Sequence, residues 1–77
     1  MSSAQVQIPL AIGVRGLADR LTTSERTIHR LISSGRLPMP SRLGGQLRWR
    51  LAEIEGWLAA GMPDRKRWEQ IRQRDVK

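Results

Sequence analysis

The stretch that decides the fold runs Leu17-Ala-Asp-Arg-Leu-Thr-Thr-Ser-Glu-Arg-Thr-Ile-His-Arg-Leu-Ile-Ser-Ser-Gly-Arg-Leu-Pro38. Together with Val14, its apolar residues Leu17, Ala18 and Leu21 fall at i, i+3, i+4 and i+7, one stripe on a short helix over about 14–21. Thr22 and Thr23 break that pattern. Ser24 is a good N-cap for a new helix, because its hydroxyl can take a free backbone N–H, and Glu25 suits the positive end of the helix dipole. Ile28, Leu31 and Ile32 then give a second stripe, and Gly35 is a C-terminal stop. The spacing predicts a second helix over about 25–34. About three residues join the two helices, and so tight a link forces the sharp crossing of a helix-turn-helix.

Downstream, Pro38 and Pro40 forbid helix and favour an extended turn. Residues 41–51 read as a hairpin closed by Gly44-Gly45, with Leu47, Trp49 and Leu51 alternating against Arg48 and Arg50. Ile54, Trp57 and Leu58 mark a third helix over about 52–60, stopped by Gly61. Pro63-Asp64 can open a fourth helix to about 74, with Trp68 and Ile71 its main apolar residues. Upstream, residues 1–7 are polar and poorly anchored, and Pro9 to Ile12 can pack as a short extended lead-in.

The expected fold is thus mostly α with a small β-hairpin, in the order helix, helix, hairpin, helix, plus a C-terminal helical tail. The expected division is a flexible N-terminal arm over 1–9, a winged helix-turn-helix domain over 10–61 and a charged C-terminal helix over 62–77. The candidate core is Leu17, Ala18, Leu21, Ile28, Leu31, Ile32, Leu43, Trp49, Ile54, Trp57 and Leu58.

Charge points to a partner. Lys plus Arg is 14 against 7 acidic residues, a net of +7 on 77 residues. Twelve of the 14 cations are arginines, whose planar fork suits phosphate and guanine. The excess is local: residues 25–50 hold six arginines against Glu25, a net of +5. A solvating face would spread its charge, so a local surface for a polyanion is favoured. On the second helix Arg26, His29, Arg30 and Ser33 project opposite the apolar stripe, at about 100° per residue. A helix held by one face and lined with donors on the other suits the major groove. There Arg26 and Arg30 can fork to guanine or hold phosphate, His29 can donate, and Glu25 can accept from cytosine or simply favour the dipole. Arg48 and Arg50 face outward on the hairpin, and Arg42 on the facing strand is expected to join them on the backbone or in the minor groove.

The stretch 17–38, its continuation Arg42-Leu-Gly-Gly-Gln-Leu-Arg-Trp-Arg50 and the run Glu53-Ile-Glu-Gly-Trp-Leu58 resemble the MerR-like helix-turn-helix of phage AlpA-type regulators and excisionases. The resemblance covers about residues 10–60. It implies a winged-helix DNA binder of a mobile element, with recognition-helix positions at Glu25, Arg26, Thr27, His29 and Arg30. It places the wing on 42–50, where Arg42, Gln46, Arg48 and Arg50 are the candidate contacts. This chain has Thr22 and Thr23 where the family has Gly and an aliphatic residue, Glu25 where a basic or small residue is common, and Ala52 in place of a capping Ser or Thr.

The reading that follows is a sequence-specific binder of double-stranded DNA, either an excisionase or a transcriptional regulator. Its partners would be DNA, further copies of itself on repeated sites and a recombinase, with Trp68 and Ile71 as candidate partner contacts or, equally, docked back on the core. A rival reading is a protein-interaction module whose basic face caps an acidic partner. Enzyme chemistry has little support: there is no cysteine, one histidine, and no Gly-Lys-Ser/Thr after Gly44-Gly45 to make a phosphate loop. No cofactor, metal or small-molecule ligand is expected. No apolar run approaches the roughly 18 residues of a membrane span, and no leader is evident, so a cytoplasmic, nucleoid-associated protein is expected.

Overall fold

The computed structural model describes residues 9–75. In chain order it has strand β1 (Ala11–Ile12), helices α1 (Val14–Arg20) and α2 (Glu25–Ser33), strands β2 (Ser41–Leu43) and β3 (Gln46–Arg50), and helices α3 (Leu51–Ala59) and α4 (Arg65–Asp75). The strands form one antiparallel sheet in the order β1-β3-β2. The architecture is the expected one, mostly helical with a small hairpin. The arm expected at 1–9 lies, except for Pro9, outside the described residues.

Leu17 and Ala18 of α1 are buried, with Val14 and Leu21 packed at the edge of the same core. The end of α1 is closed by Thr22 N–H on Asp19 O at 3.2 Å and Thr23 N–H on Ala18 O at 2.9 Å. That reversal needs a left-handed residue, and Thr22 takes it, at φ 58°. Ser24 follows immediately as N-cap of α2, its Oγ accepting the Thr27 N–H at 3.1 Å. Ile28 is fully buried, and Leu31 and Ile32 pack against it from the flanks. Gly35, at φ 71°, ends α2 by the same device, with Arg36 N–H on Leu31 O at 2.9 Å.

The linker from α2 to β2 is a plug in the core: Leu37 and Pro38 are buried, and the Pro38 carbonyl accepts the Trp49 indole N–H at 2.8 Å. Leu51, Ile54 and Trp57 of α3 complete the same cluster with Ile12 and Trp49. The candidate core lacks Ile12, Leu37, Leu51 and Trp68, all of them buried.

Two residues expected in the core are not there, Leu43 (65% exposed) and Leu58 (39%). Leu43 follows from strand register. Gly44 and Gly45, both at positive φ, make a two-residue turn, so Leu43 pairs with Gln46, Arg42 with Leu47 and Ser41 with Arg48. Paired residues share a face, which puts Leu43 beside Gln46, Arg48 and Arg50, away from Trp49. Leu58 sits in the last turn of α3. The cover that α4 supplies falls on the Glu53 and Gly56 flank, on the far side of the helix from Leu58.

Asp64 caps α4, its Oδ1 accepting the Arg67 N–H at 2.9 Å. Trp68 is buried against the domain, 6% exposed, and a Cβ at Gly56 would come within 3.3 Å of its ring. Its indole N–H donates to Glu53 Oε2 at 2.9 Å, and the same oxygen pairs with Arg72 at 2.9 Å. Trp68 is therefore not the free partner contact that the sequence left open. A large indole one turn before Ile71 finds a glycine-floored seat on α3, and that burial outweighs exposure. Ile71 is half-buried against the same cluster.

Candidate nucleic-acid interface

The outward face of α2 is built from the cap upward. Ser24 Oγ accepts the Thr27 N–H and donates to Thr27 Oγ1 at 3.1 Å, fixing the first turn. Opposite the buried Ile28, the side chains of Arg26, His29, Arg30 and Ser33 are all exposed, with Glu25 exposed at the helix start. Thr27 is half-buried at the edge and its hydroxyl serves the cap. Ser33 Oγ donates to the backbone carbonyl of His29 at 3.1 Å. Among the described residues the ion pair formed is Arg72 with Glu53, on the other side of α3. Arg26 and Arg30 thus face outward with no carboxylate holding them. Their cationic donors are available to a phosphate or a base edge at little cost in broken internal contacts.

The hairpin divides its cations between two faces. Gln46, Arg48 and Arg50 share one face, and the register puts Arg42 on the other, with Leu47. Arg42 does not join Arg48 and Arg50 as expected from the sequence. The reason is the parity of a two-residue turn, which could have been counted from Gly44-Gly45. Arg48 is half-buried: its guanidinium donates to Leu47 O and to Gln46 Oε1, both at 2.7 Å, and lies against Gly13 at the start of α1. Gln46 and Arg48 are therefore brought together and tied. Arg50, paired with Ala11 at the β1 side, and Arg42, on the edge strand β2, are exposed and form no ion pair among the described residues.

One residue of consequence escaped the sequence reading. Arg65, in the first turn of α4, donates its backbone N–H to Gly35 O at 2.9 Å, its Nε–H to Leu37 O at 2.9 Å and an Nη2 proton to Ile32 O at 3.3 Å. It closes the end of α2 and the linker to the hairpin. No periodicity signals such a contact, because a cation on a charged helix reads as a solvated side chain.

The arrangement offers donors on a convex helix face and a flanking hairpin. Among the described residues no group of His, Asp and Glu could hold a metal ion, and no helix is long and apolar enough to cross a membrane. The model of a helix-turn-helix domain family matches residues 14–62, from the start of α1 to the turn after α3. No curated protein and no solved structure is significantly similar to the chain.

Proposed function

Because the chain belongs to this helix-turn-helix domain family, we propose that it is a sequence-specific double-stranded DNA-binding protein of a mobile element, acting as an excisionase or an AlpA-type transcriptional regulator. One observation carries the reading: the outward face of α2 presents Arg26, His29 and Arg30 exposed and, among the described residues, with no carboxylate partner, on a helix anchored by Ile28 and capped by Ser24. A helix so held enters a major groove about 12 Å wide with its donors toward the base edges. Arg26 and Arg30 fork to guanine O6 and N7, and His29 donates to a base or a phosphate. The hairpin after α2 acts as a MerR-like wing. Arg50 and Arg42 meet the backbone or the minor groove from its two faces, while Arg48 and Gln46 stiffen it.

In this reading the chain binds and does not catalyse, needs no cofactor and works in the cytoplasm on the nucleoid. Copies sit on repeated sites, and a recombinase is the partner if the role is excision. Excision and regulation both require site-specific binding, so gene neighbourhood separates them: an adjacent integrase gene favours excision. Selection of bound sites from random duplexes tests the reading directly. A shared sequence motif, bound with steep salt dependence, is expected. Recovery of no motif, with no salt-dependent binding to any duplex, would exclude DNA as the partner and return the basic face to an acidic protein.

A further inference from the structure

We infer that α4 is a brace that sets the pose of the recognition helix against the wing, and that Arg65 is its positioning residue. The inference rests on the DNA-binding reading above for its functional consequence and on the free protein for its structural one.

The segment 32–38 is the only covalent path from α2 into the hairpin. Four of its carbonyls are held by residues far away in sequence. Ile32 O, Gly35 O and Leu37 O all accept from Arg65, and Pro38 O accepts from the Trp49 indole. Arg65 thus grips the last turn of α2 and the linker at once, and its charge sits at the negative end of the α2 dipole. Its own position is fixed from three directions. Asp64 caps the helix that carries it, Trp68 seats that helix on Gly56, and Glu53 holds both Trp68 and Arg72. Arg65 is half-buried and aimed inward, so it is not one of the outward donors. The family match ends at residue 62, three positions before it. The brace therefore lies outside the matched unit.

A protein that reads DNA with a helix and a wing together must hold the two at a fixed angle, since freedom at that joint is lost on binding and weakens the complex. Random duplex, held through phosphates alone, makes no such demand. Arg65→Lys keeps charge and stem but removes the fork that spans Ile32 O and Leu37 O; Arg65→Ala removes both.

Hydrogen exchange of the free protein is the first test. In both variants the Gly35 and Arg36 amides and the Trp49 indole should exchange faster, while amides in the core of α3 keep their rates. Unchanged exchange at the linker in folded Arg65→Lys overturns the brace, whatever the protein binds. The second test is binding to the selected site and to random duplex across a salt series. The selected site should weaken by about tenfold and random duplex by less than about twofold in the lysine variant. The salt slope on random DNA should stay unchanged for the alanine variant. A slope that falls by about one would make Arg65 a phosphate contact and overturn its positioning role. Should no selected site exist, the DNA reading fails, and the exchange experiment still decides the brace.

Discussion

Arg30 is exposed, lies near the middle of the outward stripe of α2 and has no carboxylate partner among the described residues, so its contribution should be to reading. Arg30→Ala is expected to cost about 1–3 kcal/mol on the selected site and clearly less on scrambled DNA, measured by titration of both duplexes. Equal losses would make it a backbone contact. Thr22 poses the opposite kind of question. A β-branched residue at φ 58° sits where glycine is at ease, and the strain is intrinsic to its Cβ. Thr22→Gly should raise stability by about 1 kcal/mol, read as a higher urea midpoint with an unchanged slope. The same scale shows where the sequence misled. Residue type alone puts Leu43 in the core and Arg42 beside Arg48; strand register does not. Counting back from Gly44-Gly45 reverses both assignments.

The elements themselves were legible. Val14, Leu17, Ala18 and Leu21, then Ser24 and Gly35, located α1 and α2 to within a residue, because stripes and caps are local signals. The alternation from Leu47 to Leu51 located β3 in the same way. What stayed hidden were contacts with no period: Leu37 as a core plug and Arg65 on three carbonyls; for Trp68 the sequence leaves docking open and hides only its seat on Gly56. For the wing, the tie between Arg48 and Gln46 separates two cations that look equivalent in sequence. Arg50→Ala should flatten the salt slope by about one, and Arg48→Ala by less, in salt titrations on random duplex. Identical slopes for both variants would mean that Arg48 leaves its tie on binding. For α4, Trp68→Ala should cost about 3–5 kcal/mol, because it empties a seat that a large indole fills. Thermal or urea unfolding checks this, and a loss under about 1 kcal/mol would mean that α4 docks without it.

At the scale of the whole molecule, α2 and the hairpin, in the DNA-binding reading proposed above, make a small footprint. A single module of this size covers roughly 600–1,000 Å² of protein surface on DNA, little for tight binding by one copy. Two or more copies are therefore expected on neighbouring repeats, with centres about one helical turn, ~34–36 Å, apart. Moving one repeat by about half a turn should abolish paired occupancy in a titration followed by footprinting; occupancy indifferent to spacing would mean independent monomers. Truncation after Gly61 is not a clean probe of assembly, since it removes Trp68 from the core and Arg65 from the linker.

The three indoles close the fold at three separate joints, and each gives its N–H to a different neighbour. Trp49 reaches Pro38 across the hairpin and linker, Trp57 reaches Pro63 at the turn into α4 at 2.7 Å, and Trp68 reaches Glu53 between α4 and α3. The chain has no tyrosine and no phenylalanine, so all of its intrinsic ultraviolet emission arises at these joints. The molecule is thereby its own optical gauge. Keeping one indole and replacing the other two with phenylalanine yields a fluorophore whose colour and quenching follow one joint alone. The order in which the joints loosen under heat, salt or DNA could then be followed without attaching a label.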